Sequence, residues 1–187
     1  MWGWFISQSL RESNKFSTVT ACDFTFKIPP WIKDEKHKID YHNANNLFRD
    51  SEKKVDIIIL RHVLEHSPNP RKLLSDLSKK LKPRGSIIFE VPNFDNHWRK
   101  VFGKYNSHLS TTFHQFHFTK KSIKFLGGDK EIVIKYSNLP TLGSSLSNIL
   151  FVKNNNFNLF SHSFYVIQIF IDQFFRNKAA FLVKIQY

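Results

Sequence analysis

Residues 55–93 read VDIIILRHVLEHSPNPRKLLSDLSKKLKPRGSIIFEVPN. Residues 57–60 form a short apolar run rich in β-branched side chains, which is typical of a parallel strand buried on both faces. Residues 86–91 form a second run of the same kind. The pattern therefore predicts two parallel strands joined by the segment between them.

The joining segment predicts a helix with a defined start. Asn69 is a suitable cap, and Pro70 suits the first helical position, where its missing N–H leaves no bond unmade. The residues of the predicted apolar face are Leu73, Leu74, Leu77 and Leu81. Lys82-Pro83-Arg84-Gly85 then predicts a type I turn. Strand, helix and parallel strand together predict a right-handed βαβ unit.

This stretch resembles the second half of the Rossmann-like S-adenosylmethionine-dependent methyltransferases. That family carries D-x-I-x-x-x-x-V-L-E-H at its fourth strand, a Leu-rich helix, K-P-G-G, and a fifth strand ending in V-P-N. The matching residues are Asp56, Val63-Leu64-Glu65-His66, Lys82-Pro83-Arg84-Gly85 and Val91-Pro92-Asn93. The departure is Arg84, where the family usually has Gly. The resemblance implies an α/β, Rossmann-like fold with a mostly parallel sheet and flanking helices, as a single domain over residues 1–187.

The resemblance also implies S-adenosylmethionine as cofactor, with contacts at strand ends. Residues 18–23 predict a strand ending in Asp23, where the family has the acid that binds the ribose hydroxyls. An ordinary strand-end aspartate that caps a turn is the alternative. Asn43 follows a short strand predicted at residues 39–42, where the family has an acid facing the adenine amino group, and an amide oxygen can still accept that hydrogen bond.

Three further cofactor contacts are expected by family position, namely Gly3, Arg61 and His62. The family's first strand and most of its glycine-rich loop should precede Gly3, so we expect both to be missing and the chain to be truncated at its N terminus. The glycines of that loop let backbone approach the cofactor closely. Two functions stay open: a methyltransferase impaired by truncation, and a non-catalytic methyltransferase-like binding or scaffold protein or gene remnant.

Residues 113–119 read FHQFHFT and resemble the family's H-x-x-H-F-[ST] signature, which opens a helix predicted at residues 120–125. Methyl transfer requires alignment of the acceptor and, for some acceptors, removal of a proton. Because histidine titrates near neutral pH, His114 and His117 are the candidate catalytic bases. A structural role in fixing the loop is the alternative. The resemblance places this loop in a substrate-side region over residues 93–130.

His62-Val63-Leu64-Glu65-His66 also spells H-x-x-E-H, the zinc signature of the inverted zincins. Zinc there needs both histidines on one face of a sustained helix, and Ser67-Pro68-Asn69-Pro70 would break that helix at once. We therefore predict no metal site. Glu65 and His66 are expected instead to contact the acceptor, because ligands of open α/β sheets bind at the carboxyl ends of the strands.

The composition limits the class of partner. The net charge is +13, from 28 Lys and Arg against 15 Asp and Glu, but the lysines are scattered and lack an aromatic-basic motif. A basic solvated surface and no specific nucleic acid are therefore predicted. The single cysteine, Cys22, forms no intramolecular disulfide and fits a reducing, cytoplasmic location. We find no signal-peptide pattern and no spanning apolar window.

Residues 159–175, LFSHSFYVIQIFIDQFF, predict an aromatic helix that is apolar over most of its circumference. Such a helix packs on the sheet or on a second subunit, or it lies against a membrane surface as a peripheral contact. Strands are predicted on either side of it, at residues 132–135 and 180–185. The acceptors implied by the resemblance are small molecules, lipids or glycans.

Overall fold

The computed structural model describes residues 18–23, 40–43, 54–109, 113–137, 141–142, 145–146, 164, 166–172 and 178–187. The chain divides into two units, Met1–Lys53 and Lys54–Tyr187, and each is described by itself. Gly3 and part of the aromatic segment 159–175 lie outside the described residues. The single domain over residues 1–187 stays a prediction.

Two short parallel strands are described in the N-terminal unit. β1 (Thr20–Asp23) pairs with β2 (Asp40–Asn43) along its whole length, and Asp23 is in register with Asn43. The predicted strand end at Asp23 is confirmed, whereas the second strand begins and ends one residue later than predicted. Because parallel strands share their carboxyl edge, these two last residues are neighbours in the sheet.

The C-terminal unit contains the predicted βαβ unit. β3 (Val55–Arg61) and β4 (Leu81–Pro92) are parallel, and α1 (Pro70–Ser78) joins them. The Asn69 side chain accepts a hydrogen bond from the backbone N–H of Lys72, so the predicted helix cap is confirmed. The buried apolar side chains of this βαβ unit include Leu74, Leu77, Leu81, Ile87, Phe89 and Val91.

The turn predicted at residues 82–85 is part of an irregular stretch of β4. Between two successive paired positions, β4 contains more residues than β3, so the ladder is interrupted there. Arg84 has a φ of 64°, in the left-handed region that favours glycine. A Cβ on Gly85 would lie 2.9 Å from the Cβ of Leu81. The backbone of this bulge therefore needs glycine at residue 85 and strains residue 84.

Two antiparallel strands complete the described sheet of this unit. β6 (Ala180–Gln186) pairs with β4 on one side and with β5 (Ile132–Ser137) on the other, which gives the order β3-β4-β6-β5. Both strands were predicted at these positions. The Rossmann-like α/β fold is confirmed, with parallel and antiparallel strand pairs both present among the described residues.

Helices flank this sheet. α2 (His97–Phe102) follows β4, and α3 (Lys120–Gly127) begins at a capping box in which Thr119 and Ser122 exchange side-chain to backbone hydrogen bonds. Residues 166–172 are helical within the predicted aromatic helix. Trp98 and Phe102 of α2 pack with Ala179, Ala180, Leu142, Leu146 and Ile171. None of the helices described here is long and apolar enough to cross a membrane.

The burial of β3 differs from the prediction. Ile57 and Ile59 are each 38% exposed, so a strand buried on both faces is wrong for β3. The reason lies in the strand order, because β3 is the outermost strand of the described sheet and only β4 pairs with it there. β4 has a neighbour on each side, and its side chains at Ile87, Phe89 and Val91 are fully buried.

Candidate functional site

Polar contacts tie the last residues of β3 to β4. The Nε of Arg61 lies 2.7 Å from Oε2 of Glu90, and Oε1 of Glu90 accepts the hydroxyl of Ser137 at 2.8 Å. The backbone N–H of His62 donates to the Glu90 carbonyl oxygen at 3.1 Å. Arg61 and His62 are thereby fixed at the carboxyl end of β3. Glu90 was missed from the sequence, although an acid inside an otherwise apolar strand was a usable signal.

A single 3₁₀ turn, Leu64–His66, follows β3. Glu65 in this turn is only 1% exposed, and its Oε1 lies 3.0 Å from Nδ1 of His62. Its Oε2 has no hydrogen-bond partner among the described residues. Because the turn ends at His66, the two histidines of H-x-x-E-H do not share a sustained helix, which agrees with the rejection of a zincin site.

The backbone of the same turn holds residues 113–119, which we call the histidine loop. The carbonyl oxygen of Glu65 accepts hydrogen bonds from the backbone N–H of Gln115 at 2.7 Å and of Phe116 at 3.2 Å. These bonds join two segments that are far apart in the sequence. They place the predicted acceptor-binding residues beside the loop that carries the predicted bases.

Three histidines come together at this junction. The ring of His66 lies 4.9 Å from that of His114, which in turn lies 6.2 Å from the ring of His117. Nδ1 of His66 is 2.9 Å from the carbonyl oxygen of Phe113, and Nδ1 of His114 is 3.1 Å from that of His108. Since a carbonyl oxygen only accepts, each Nδ1 carries a proton, and in the neutral form of each ring the lone pair is on Nε2.

The surroundings favour the neutral form of two of these imidazoles. Burial lowers the pKa of His114 from its ordinary value of 6.5, and this desolvation outweighs the opposing attraction of the Glu65 carboxylate. Burial also lowers the pKa of His117, and the positive charge of Arg99 acts in the same direction. A neutral imidazole is the form that accepts a proton, so both side chains suit the role of base.

A cleft lies beside the histidine loop, at the carboxyl end of β4, with room for about one water molecule. Its polar lining is formed by Asn93, Asn96, Arg99, Asn106, His108, His114 and His117. Both predicted bases therefore line it. The predicted acceptor contacts Glu65 and His66 are not among the lining residues of this cleft, although they adjoin the histidine loop.

The cleft walls are fixed by contacts that sequence reasoning missed. The Nδ2 of Asn93 donates to the carbonyl oxygen of Lys178 at 2.8 Å. The Nε of Arg99 donates to the carbonyl oxygen of Phe94 at 2.6 Å, and its guanidinium lies 4.2 Å above the Phe94 ring. That ring stacks on His117 at 5.1 Å. Asn93 alone carried a signal, because it ends the V-P-N motif.

A buried carboxylate attaches the helical segment 166–172 to α2. Oδ1 of Asp172 accepts the indole N–H of Trp98 at 2.8 Å and lies 3.1 Å from Nε2 of His97. Its Oδ2 accepts from Nε2 of Gln168 at 3.1 Å. Asp172 and Gln168 are almost fully buried. The side of this helix that faces the protein thus includes polar anchors that its apolar composition did not predict.

The remaining cofactor candidates lie in the N-terminal unit. Asp23 and Asn43 end neighbouring parallel strands at paired positions. A carboxylate and an amide oxygen both accept hydrogen bonds, as ribose hydroxyls and an adenine amino group require. The residue types at this strand edge therefore fit the nucleoside part of the expected cofactor.

Solved structures of methyltransferases share this fold. A SAM-dependent methyltransferase from Archaeoglobus fulgidus aligns with a TM-score of 0.56 at 14% identity, over 99% of this chain and 81% of that one. The plantazolicin methyltransferase BamL, in complex with a triazolic desmethylPZN analog and SAH, aligns with a TM-score of 0.59 at 15% identity, over 98% of this chain and 73% of that one. No curated protein matches the chain.

The sequence itself matches a family model described as a methyltransferase domain, over residues 3–127. That range includes β1 to β4, the histidine loop and α3. It covers well over half of the chain, from the nucleoside-binding candidates to the end of the helix that follows the candidate bases. The chain belongs to the methyltransferase-domain family.

Proposed function

We propose that this chain transfers a methyl group from S-adenosylmethionine to a small-molecule, lipid or glycan acceptor. The observation that carries the proposal is the family match over residues 3–127, which takes in the strand ends and the histidine loop. Similar solved structures support the choice of cofactor, since the plantazolicin methyltransferases BamL and BpumL were crystallised with SAH.

The proposed cofactor contacts are the strand-end residues. Asp23 accepts the ribose hydroxyls and Asn43 accepts the adenine amino group. Their support is family position together with their pairing at one strand edge. Arg61 and His62 at the end of β3, and Gly3, are further contacts proposed by family position alone. When bound, S-adenosylmethionine supplies an activated methyl group on a sulfonium sulfur.

The proposed catalytic work of the chain is alignment and proton removal. His114 or His117 accepts a proton from the acceptor through an imidazole nitrogen, which the lowered pKa of each keeps unprotonated at neutral pH. Glu65 and His66 help to orient the acceptor beside the histidine loop. Residue positions and hydrogen bonds support these roles, and the structural role of the histidines in the loop is compatible with them.

The test is calorimetric titration of the full chain with S-adenosylhomocysteine. We expect micromolar binding that weakens about 10- to 100-fold in Asp23→Ala, since a hydrogen bond to a charged group is lost. Asp40→Ala is the matched control, because Asp40 is the first residue of β2 and lies at the opposite end from Asn43. Its affinity should equal that of the unchanged chain.

Absence of binding by folded protein would exclude the enzyme proposal for this chain. The result would favour the alternative, a non-catalytic methyltransferase-like binding or scaffold protein. Equal weakening by Asp23→Ala and Asp40→Ala would reject the assignment of Asp23 to the ribose.

We propose that the protein is cytoplasmic and makes a peripheral contact with an anionic membrane. Val166, Ile167 and Phe170 are 54%, 48% and 62% exposed on the helical segment 166–172. The net charge of +13 would favour anionic lipid. Sedimentation with anionic vesicles should fall when Ile167 and Phe170 are both changed to Ser, and sedimentation with neutral vesicles should be weak. Equal sedimentation of both proteins would reject this surface.

A further inference from the structure

Three side chains with metal-binding chemistry converge between β3 and the histidine loop. Glu65, His66 and His114 each offer one ligand atom, and these three atoms all lie within 4.8 Å of one another. We propose that Glu65, His66 and His114 form a binding site for a divalent transition-metal ion of the zinc class.

The two imidazoles are already in the tautomer that a metal requires. Nδ1 of His66 donates to the carbonyl oxygen of Phe113, and Nδ1 of His114 donates to that of His108. Neither Nε2 has a hydrogen-bond partner among the described residues. Histidines that bind metal ions in proteins commonly donate their other ring N–H to a backbone carbonyl in this manner, which fixes the ring and raises its basicity.

The carboxylate supplies an independent observation. Glu65 is 1% exposed, and its Oε1 is engaged by Nδ1 of His62 at 3.0 Å. Its Oε2 is buried without a partner among the described residues. A buried carboxylate oxygen that makes no bond is destabilising, and a cation held by these three side chains would satisfy it.

The ligand set indicates the kind of ion. Two imidazole nitrogens and one carboxylate oxygen are a set that binds Zn²⁺ or a similar first-row ion, and it leaves at least one coordination position open. The set differs from the H-x-x-E-H reading of the sequence, because His62 orients the carboxylate and His114 provides the second nitrogen. The long-range partner His114 is what the local motif could not supply.

The present spacing is close to that of a bound ion. Ligand atoms on a tetrahedral zinc ion lie about 3.4 Å apart, and those of the cluster lie within 4.8 Å of one another, so they would approach by at most about 1.4 Å. His66 is exposed, so a small shift of its side chain can make this movement. The catalytic part of this inference rests on the proposed function. The open coordination position suits an acceptor oxygen, and His117 is then the histidine left free to take the proton.

The test is metal binding by the full chain without a histidine tag. After chelator treatment and dialysis, the chain is titrated with zinc chloride, and bound metal is counted by elemental analysis. Cobalt(II) titration gives a second readout through its visible absorption. We expect about one ion per chain. His66→Ala and His114→Ala should each weaken binding at least about 10-fold, and Glu65→Gln should weaken it while preserving the side-chain shape.

His117→Ala is the matched control, because its ring lies 6.2 Å from that of His114 but it is outside the ligand set. Its zinc affinity should be unchanged. Circular dichroism of His66→Ala confirms folding, since that side chain is exposed. A chain that retains no stoichiometric zinc, or equal binding by His66→Ala and the unchanged chain, overturns the site. Zinc binding without S-adenosylhomocysteine binding would support the metal site and reject the methyltransferase proposal. S-adenosylhomocysteine binding without zinc binding would support the methyltransferase proposal and reject the metal site.

Discussion

The βαβ unit and the region around the histidine loop both rest on β4, and different interactions hold them. The βαβ unit is held by the parallel pairing of β3 and β4 and by large apolar side chains such as Ile87 and Phe89, which are fully buried. The second region, which we call the polar region, comprises residues 93–102 with α2, the histidine loop and the helical segment 166–172. Its buried groups include Asn93, Asn96, Gln168 and Asp172.

The difference determines how each region responds to change. Apolar burial is spread over many contacts and is insensitive to direction, so the βαβ unit is a rigid support. The hydrogen bonds of the polar region are directional, and each buried group there depends on its own partners. A site that aligns an acceptor needs such directional contacts. It also needs a rigid support beneath it, which the βαβ unit provides.

The largest loss of stability should come from removing a large buried side chain of the βαβ unit. Phe89→Ala removes a ring that is 0% exposed, and we expect a loss of about 3 to 5 kcal/mol in the free energy of unfolding. Urea denaturation measures it. Leu182→Ala on β6 is the control, since Leu182 is 41% exposed and should cost much less. Equal losses would mean that the βαβ unit is not the stable part of the molecule.

The next effect tests the polar region. Asp172→Ala leaves the indole N–H of Trp98 and the amide of Gln168 buried without their acceptor, which should cost about 3 kcal/mol. Urea denaturation is again the measurement. A loss no larger than that of the surface variant Asp76→Ala would show that this carboxylate does not hold the helical segment.

Asp76→Ala is the matched control for Asp172→Ala. The Asp76 carboxylate bonds Lys72 and Lys79 on the exposed side of α1, and these hydrogen bonds lower its pKa to about 2. Solvent screens such surface pairs, so we expect no measurable change in the denaturation midpoint at neutral pH. The same chemical change at two burial levels thus isolates the role of burial.

The same contrast explains how much could be predicted from the sequence. Periodicity and capping residues act locally, so most elements were predicted at or within about two residues of their bounds, among them α3, β6 and the start of α1 at its Asn69 cap. β4 begins at Leu81 and not at residue 86 as predicted, and Leu81 therefore lies in the strand and not on the helix face, because α1 ends at Ser78. The exposure of Ile57 was not, because strand order depends on pairings far apart in the chain. Arg84 was noted as a departure, but its φ was not predictable from the motif.

The site was predicted in part. Family motifs gave His114, His117, Glu65 and His66, and the structure brings these residues together around the histidine loop. They gave no sign of Trp98 bonding to Asp172, since nothing local in either segment specifies the other. Long-range polar pairs follow from packing of whole elements, which neither composition nor spacing encodes.

A smaller effect should appear with pH. Burial holds the pKa of His114 and of His117 below the unfolded value of 6.5, so the unfolded chain binds more protons near that pH. Their contribution to stability is therefore complete above pH 6.5 and is lost as the pH falls through 6.5 toward the folded pKa values. NMR titration of the ring protons should give both midpoints below 6.5, whereas values above 6.5 would contradict the burial.

The smallest change in stability is expected within the βαβ unit, at the bulge of β4. Arg84 is exposed and has a φ of 64°, a conformation that costs a residue with a Cβ roughly 1 kcal/mol relative to glycine. Glycine also makes the unfolded chain more flexible, which offsets part of the gain. We expect Arg84→Gly to raise the free energy of unfolding by about 0.5 kcal/mol, measured by urea denaturation.

Arg84→Ala is the control for Arg84→Gly, since it removes the same side chain and keeps the Cβ. If backbone strain is the cause, Arg84→Ala gains nothing and Arg84→Gly gains stability. Gly85→Ala should act in the opposite direction, because the new Cβ would lie 2.9 Å from the carbonyl oxygen of Lys82. A gain from Arg84→Ala equal to that from Arg84→Gly would assign the effect to the side chain. The bulge would then be unstrained, and the apolar packing of the βαβ unit would set its stability without a local backbone penalty.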